Sequence, residues 1–131
     1  CVAMFLAQIG HESDEFKTFR EYASGTAYEG RVDLGNVLPG DGVKFRGRGA
    51  IQITGRYNYT QLAKELKIPC VERPEILEEP RYALIVSAWF WNSRKLNDIA
   101  GNLEAVTRKI NGGLNGLQHR KILWERALAV L

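Results

Sequence analysis

Apolar residues recur along the chain at helical spacing, and this pattern predicts a mainly α protein. Residues 2–11 are apolar on nearly all sides, which is typical of a helix buried in a core. Four further segments have the length and apolar spacing of helices: 58–68, 81–96, 102–112 and 119–131. Pro80 suits the first turn of the helix that follows it. Gly112 is placed to end the helix before it.

A glycine-rich segment, residues 22–49, separates the first predicted helix from the others. It has no sustained period, which indicates an ordered loop region, and loops of this length inside a compact domain usually carry function. Residues 50–54 (AIQIT) follow with the composition of a short strand. The pattern therefore predicts one α-helical domain over residues 1–131, with a long glycine-rich loop region and at most a short β element.

The composition is that of an ordinary globular domain, with 45% apolar and 25% charged residues in a chain of 131. No apolar run reaches the roughly 18 residues that span a bilayer, so we expect no stable membrane insertion. The first ten residues lack the basic leader and cleavage site of a signal peptide. The chain begins in mid-helix without Met, which is compatible with a segment of a longer protein and leaves the export route and any preceding domain open.

Residues that bind metals are sparse in this sequence. Cys1 and Cys70 form no C-x-x-C motif, and His11 and His119 lie far apart, so we expect no disulfide framework, no metal and no other cofactor. A net charge of +3 suits an anionic partner such as a bacterial wall or a nucleic acid. Because the basic residues form no obvious stripe, we expect no nucleic-acid binding, and we expect a monomer.

Acidic residues cluster directly after the first predicted helix. Glu12 falls at the C-terminal end of that helix, where burial and the negative end of the helix dipole both favour a protonated carboxyl group, as a general acid requires. Glu21 and Glu29 follow in the loop and offer a second carboxylate. An inverting glycosidase places two carboxylates about 6.5–9.5 Å apart with a water between them. The alternative, that these residues are merely solvated surface acids, stays open on spacing alone.

Three motifs in order change this picture: AQIGHES at 7–13, FRGRGAIQITGRYNY at 45–59, and INGG at 110–113. Together they resemble family 19 of the glycoside hydrolases, which comprises plant-type chitinases, phage endolysins and related bacterial lysozyme-like enzymes. The stretches ASGTAYEGRVDLGN and PGDGVKFRGRG resemble the phage branch in particular. The resemblance covers nearly the whole chain and implies a lysozyme-like α-helical domain.

The resemblance also implies roles for individual residues. Glu12 matches the general acid of the family, with His11 as its neighbour, and Thr54 falls where chitinases have a serine that helps to hold the attacking water. Arg120 approximates an arginine that ties the last helix into the carboxylate network. Four positions, together with His11, match residues that bind the sugar N-acetyl groups or shape the cleft: Gln52, Tyr57, Asn58 and Asn111.

The second carboxylate has two candidates under this resemblance. In the phage branch the partner acid lies nine residues beyond the first, which is the position of Glu21. In plant chitinases it lies farther along, in a stretch resembling AYEGR, which contains Glu29. The spacing favours Glu21, with Glu29 as the alternative.

The glycine-rich basic segment around Arg48 matches neither the P-loop nor the dinucleotide fingerprint. We expect Arg48 to pair with a cleft carboxylate and to keep one of the two catalytic acids ionised. Tyr57 and Tyr59 are predicted cleft residues, and Tyr22 and Tyr28 are further candidates. Four aromatic residues at helical positions are predicted to belong to the core: Trp89, Phe90, Trp91 and Trp124.

These observations predict a peptidoglycan hydrolase that cleaves β-1,4 bonds between N-acetylated amino sugars and acts at the bacterial cell wall, in the periplasm or outside the cell. Glu12 would protonate the leaving oxygen, and Glu21 would activate water, with inversion at the anomeric carbon. Chitin or its oligomers form an alternative substrate with the same chemistry. A wall-binding module that has lost catalysis is the alternative from another class.

Overall fold

Helices form the regular structure of residues 2–131, which are the residues that the computed structural model describes. Its α-helices are α1 (Val2–Glu12), α2 (Asp41–Lys44), α3 (Arg56–Leu66), α4 (Pro80–Ser93), α5 (Leu103–Asn111) and α6 (Leu117–Val130). Short 3-10 helices lie at Thr26–Tyr28, Val32–Leu34, Pro74–Glu78 and Leu96–Ile99. The prediction of a mainly α protein is confirmed. Cys1 lies outside the described residues.

Local signals set several helix ends. Pro80 is the first residue of α4, and Gly112 ends α5 in a left-handed conformation with φ of 83°, so both predictions are confirmed. The side chain of Asn102 caps the start of α5 by accepting a hydrogen bond from the amide of Ala105 at 3.0 Å. α6 begins two residues earlier than its apolar pattern predicts, directly after the left-handed Gly116.

The prediction of a short strand over residues 50–54 is wrong. Gln52 has a φ of 64°, so the backbone reverses there instead of continuing in the extended conformation. The amides of Arg48 and Ile53 donate to each other's carbonyl oxygens at 3.0 and 2.7 Å. Within the described part of the chain, pairing of the β type occurs only as isolated bridges, from Arg48 to Ile53 and to Arg20.

The glycine-rich segment is fastened to the start of α3. Asp41 is buried and accepts two hydrogen bonds of 2.8 Å from the guanidinium of Arg56, which holds the pKa of the Asp41 carboxyl below its usual range. Asn36, also buried, accepts a bond from the Arg56 amide and donates one to the carbonyl of Tyr28. These buried polar side chains therefore order a loop that has few apolar contacts.

Two apolar clusters form the core. The larger joins Ile9 of α1 to the turn around Ile53, to α3 and to α4, and the smaller contains Met4, Trp91, Leu96 and Val106. α1 packs along α6. The core interpretation of the four aromatic residues is confirmed, because Trp91 is buried and the other three pack against these clusters.

Two burial predictions are wrong. One edge of α1 stays accessible, since Val2 is 59% and Leu6 is 37% exposed, so the helix is not buried on all sides. Tyr59 is fully buried, and its hydroxyl donates to the carbonyl of Arg46 at 2.6 Å. It is therefore a core residue and not a cleft residue. Among residues 2–131, no helix is both long enough and apolar enough to span a bilayer.

Candidate active site

Glu12 lies at the C-terminal end of α1, where it meets Arg120 of α6. The Arg120 guanidinium donates to Glu12 Oε1 at 2.8 Å. Arg120 is 1% exposed, whereas the Glu12 side chain is partly accessible. Glu12 Oε2 has no hydrogen-bond partner within residues 2–131, so one carboxyl oxygen is fixed and the other is free to meet a ligand.

Arg120 is held on three sides. Its Nε donates to the carbonyl of Asn115 at 3.1 Å, and its Nη1 donates to Oε1 of the fully buried Gln8 at 2.5 Å. A buried guanidinium needs such partners, because desolvating an unpaired charge is costly. Beside partial burial and the negative end of the helix dipole, Glu12 therefore has a cation in direct contact.

His11, the neighbour of Glu12, packs against His119 of α6. The two Nδ1 atoms are 2.8 Å apart, and His119 Nε2 lies 3.3 Å from Glu15 Oε2. Burial, the nearby charge of Arg120 and the second imidazole lower the pKa of His11 to about 4. A Cβ at Gly116 would overlap the His11 ring, so only glycine fits there.

Glu21 is held by a different kind of partner. Its Oε1 accepts the amide of Gly47 at 2.5 Å and its Oε2 accepts the hydroxyl of Tyr28 at 3.1 Å. The amide of Glu21 donates in turn to the carbonyl of Gly47 at 2.9 Å. Both donors are neutral, and both stabilise a negative charge on the carboxylate. Burial and the adjacent Glu21 charge raise the pKa of Tyr28, so its hydroxyl keeps its proton.

Gln52 and Thr54 lie beside the same glycine. A Cβ built on Gly47 would be 2.8 Å from Gln52 Oε1 and 3.2 Å from Thr54 Oγ1. The Thr54 hydroxyl donates to the carbonyl of Gln52 at 3.0 Å and keeps its lone pairs as acceptors. Gln52 also has the left-handed backbone described above, and strained residues of this kind concentrate at functional sites. The structure therefore groups Glu21, Gln52 and Thr54 around Gly47.

The side chain of Glu29, the alternative second carboxylate, contacts the start of α2. Its two oxygens accept the amides of Gly40 and Gly42 at 2.9 and 2.8 Å. This carboxylate therefore ties one turn of the glycine-rich segment to another. No contact joins it to Thr54 within the described residues, whereas Glu21 shares Gly47 with Thr54.

Arg48 does not pair with any of the predicted catalytic acids. It is buried, and its guanidinium donates to Glu78 Oε2 at 2.8 Å and to the carbonyl of Lys44 at 2.6 Å. It also donates to the hydroxyl of Tyr59 at 3.2 Å. The prediction is wrong because the tight turn after Arg48 directs the side chain beneath the glycine-rich segment. The arginine of the carboxylate network is Arg120.

The remaining predicted binding residues differ in their exposure and in their contacts. Asn58 donates to the carbonyl of Thr54 at 2.9 Å and so supports the turn that carries the hydroxyl. Tyr57 is exposed at the start of α3, and Asn111 is exposed as the last residue of α5. Tyr22 is also exposed and donates to Asp14 at 2.8 Å. Their roles in binding stay predictions.

Two concave pockets at the surface lie away from these carboxylates. Pockets of about 520 and 400 Å³ lie between α5 and α6 and between α3 and α4. Neither is lined by Glu12, Glu21 or Thr54. A saccharide chain binds along an extended surface, so the grouping of carboxylates, amide and hydroxyl identifies the candidate site better than pocket volume does.

Two side chains of this site, and the donor role of a glycine in it, were not predicted from the sequence. Gln8 stands four residues before Glu12 on the same helical face, and an amide in an otherwise apolar helix was a detectable signal. Gly47 is a donor through its backbone, which its residue type does not reveal. Thr107 of α5 contacts Gln8 at 3.1 Å, and nothing in its local sequence marks it.

Comparisons with known proteins identify relatives along nearly the whole chain. The sequence is 35% identical, over an alignment 159 residues long, to a glycosyl hydrolase family 19 domain-containing protein of Haemophilus influenzae. The alignment covers 98% of this chain and 78% of that protein. It is 36% identical over 113 residues to Endochitinase At2g43610 of Arabidopsis thaliana, across 86% of this chain and 39% of the plant protein. The chain thus spans about two fifths of this plant relative. No protein-family model matches the sequence.

Solved structures share the fold. Chitinase C from Streptomyces griseus superposes with a TM-score of 0.79 at 25% identity, over 98% of this chain and 58% of that one. A class IV chitinase from Zea mays gives the same TM-score at 21% identity, over 98% of this chain and 66% of that one. The prediction of a lysozyme-like α-helical fold is confirmed.

Proposed function

The chain belongs to glycosyl hydrolase family 19, and on that premise we propose that it hydrolyses β-1,4 bonds between N-acetylated amino sugars. The observation that carries the proposal is the pair of carboxylates held in different ways. Glu12 contacts a buried cation and keeps one oxygen free. Glu21 accepts two neutral donors, one of which is the amide of Gly47, and the hydroxyl of Thr54 lies near the same glycine.

In this proposal Glu12 is the general acid. It enters the reaction protonated and passes its proton from Oε2 to the leaving glycosidic oxygen. Negative charge then develops on the Glu12 carboxylate, and Arg120 stabilises that charge through Oε1. The ion pair is therefore stronger in the transition state than in the ground state, which is the condition for catalysis.

Glu21 is the general base, and the Gly47 amide and the Tyr28 hydroxyl both donate to it and hold it in place. It removes a proton from a water molecule that Thr54 helps to hold. That water attacks the anomeric carbon from the face opposite the leaving group, so the configuration inverts. Glu29 is the alternative base, and its two backbone contacts support a structural role instead.

The substrate that we propose is bacterial peptidoglycan. A net charge of +3 favours residence on an anionic wall. Chitin and its oligomers are the second candidate, and the names of the plant relatives as endochitinases favour them. We further propose that residues 1–131 form one catalytic domain that acts as a monomer at the cell wall, in the periplasm or outside the cell, without a cofactor.

Two parallel assays test the proposal on the wild type and on Glu12→Gln. The first follows turbidity of outer-membrane-permeabilised Gram-negative cells, and the second follows cleavage of an N-acetylglucosamine hexasaccharide. Glu72→Gln is the matched control, because Glu72 is exposed in the segment before the 3-10 helix Pro74–Glu78. Lysis that is lost only in Glu12→Gln supports a wall hydrolase acting through Glu12.

The other outcomes separate the alternatives. Cleavage of the hexasaccharide without lysis assigns the protein to chitin. A wild type that does neither, but sediments with wall fragments, is a binding module and refutes the catalytic proposal. The anomer that appears first, read by proton NMR, reports inversion directly.

A further inference from the structure

Two buried polar residues lie behind the ion pair of Glu12 and Arg120. Gln8 and Thr107 are both fully buried, on α1 and α5. Gln8 Nε2 donates to Thr107 Oγ1 at 3.1 Å, and Gln8 Oε1 accepts the Arg120 Nη1 bond. A chain of hydrogen bonds therefore runs from α5 through α1 to α6 and ends at Glu12.

The Gln8 amide is held at both of its ends. On the nitrogen side, the partners of Gln8 are Thr107 and the Met4 sulfur at 3.7 Å, and a thioether is only a weak acceptor. On the oxygen side, the partner is Arg120, which has donors only, so Arg120 sets which way the amide faces. Thr107 supplies the good acceptor that keeps the amide nitrogen in place.

The orientation of Arg120 follows from that of Gln8. A guanidinium is planar, with its donors in a rigid fork, so fixing Nη1 on Gln8 and Nε on Asn115 also fixes the direction of Nη2. Nη2 is the atom that contacts Glu12. A displacement of Gln8 is therefore transmitted through Arg120 to the carboxyl group of Glu12.

We propose that Thr107, acting through Gln8 and Arg120, is a positioning residue for the general acid Glu12. This inference rests on the proposed function, since it concerns the residue to which that function assigns proton donation. Without the hydroxyl, a buried Gln8 donor loses its good acceptor. The Gln8 side chain then shifts toward another acceptor, its oxygen moves away from Arg120 Nη1, and the hold on Glu12 weakens.

The test compares Thr107→Val with Thr107→Ser on whichever of the two substrates, hexasaccharide or permeabilised cells, the wild type degrades. Valine keeps the shape of threonine and removes the hydroxyl, whereas serine keeps the hydroxyl. We expect kcat to fall about tenfold to a hundredfold in Thr107→Val with KM little changed, because small displacements of catalytic groups cost rates of this order. Thr107→Ser retains most of the wild-type kcat.

The kcat of the folded enzyme separates positioning from simple stability. A fold that is merely less stable lowers the melting temperature and leaves the kcat of the folded enzyme unchanged, whereas a displaced Glu12 lowers kcat wherever the enzyme is folded. Ser87→Ala is the matched control, because Ser87 is an equally buried hydroxyl on α4 that donates to the carbonyl of Ala83. It lowers the melting temperature and keeps the wild-type kcat.

A second variant covers the case in which Thr107→Val does not fold. Gln8→Glu offers Arg120 a competing carboxylate, and we expect the same fall in kcat with KM little changed. The inference is overturned if the folded variants keep the wild-type kcat. A wild type that degrades neither substrate refutes the proposed function. An active wild type together with an equally active Thr107→Val refutes only the inference about Thr107.

Discussion

The two carboxylates of the candidate site are held by opposite means. At the end of α1, Glu12 contacts a buried arginine that lies 108 residues away in sequence. In the glycine-rich segment, Glu21 is held by a backbone amide and a tyrosine hydroxyl. One support is a charge within a packed pair of helices, and the other is a set of neutral donors on a loop.

This difference matches the chemistry that each group would perform. A general acid gains negative charge during the reaction, so a cation beside it acts where charge develops. A general base begins with negative charge, and neutral donors stabilise it without attracting a second charged group into the site. Charged side chains therefore shape one half of the site and backbone geometry shapes the other, and each half is open to a separate test.

The largest effect is expected on the helical side, from Arg120→Met. This change leaves Gln8 and Glu12 without their buried partner. Removing one partner of a buried ion pair costs about 3–5 kcal/mol of unfolding free energy, and we expect activity to fall at least about a hundredfold. Urea unfolding and turnover measure the two effects.

Arg126→Met is the control for that variant. Arg126 also lies on α6 but is exposed, 4.0 Å from Glu15, and a surface pair of this kind contributes less than about 1 kcal/mol. Equal losses in the two variants would contradict the distinction between a buried and a surface arginine.

On the loop side, Gly47→Ala tests the dependence on backbone geometry. The added Cβ would lie 2.8 Å from the Gln52 amide oxygen and 3.2 Å from the Thr54 hydroxyl. Both side chains must shift, so we expect about a tenfold loss of kcat with a stability cost of about 1 kcal/mol. Gly101→Ala, which meets no atom within 4 Å, should leave kcat unchanged. A fully active Gly47→Ala would remove Gln52 and Thr54 from the site.

A smaller effect is expected from Tyr28→Phe, which removes one of the two donors to Glu21. A hydrogen bond of this kind contributes about 1–2 kcal/mol, so kcat should fall by about tenfold or less. Tyr22→Phe is the control, since Tyr22 donates to Asp14 and not to Glu21. Equal kcat values for both variants would count against Glu21 as the base.

The smallest effect concerns stability and pH at the imidazole pair. The pKa of His11 is about 4 in the folded protein, against 6.5 as its ordinary value, because of burial and the charges of Arg120 and His119, with Asp14 opposing them. The unfolded chain therefore binds a proton first as pH falls. Stability that is fully present above pH 6.5 is lost between about 6.5 and 4.

Urea unfolding at several pH values measures this loss. One proton gives at most about 1.4 kcal/mol per pH unit, and the partial exposure of the ring reduces that further through solvent screening. His11→Gln should flatten the curve between pH 4 and 6.5. An unchanged slope in His11→Gln would assign the loss to other groups.

Helix positions were largely predictable because each depends on neighbours in the sequence. The period of apolar residues, Pro80 and Gly112 act within one or two turns, and they locate α4 and α5 well. The prediction of a strand over 50–54 was wrong although the composition of these residues is typical of a strand. Composition does not reveal the left-handed φ of Gln52, which reverses the backbone at that point.

The candidate site was predictable only in part. Glu12, Glu21 and Thr54 were indicated by motif and spacing, and their catalytic roles stay predictions. Arg48 and Arg120 show where such reasoning ends. Both were expected to meet a carboxylate of the cleft: Arg120 contacts Glu12, whereas Arg48 contacts Glu78 instead of a predicted catalytic acid.

The sequence by itself therefore determined the helices, the carboxylate at the end of α1 and the family to which the chain belongs, because these depend on local periodicity and on short motifs. Only the tertiary structure decided which groups meet those carboxylates. Thr107, Gln8 and Arg120 join three helices through contacts between residues about a hundred positions apart. The physical reason is that burial leaves polar groups no water to bind, so their partners are set by which helices pack together.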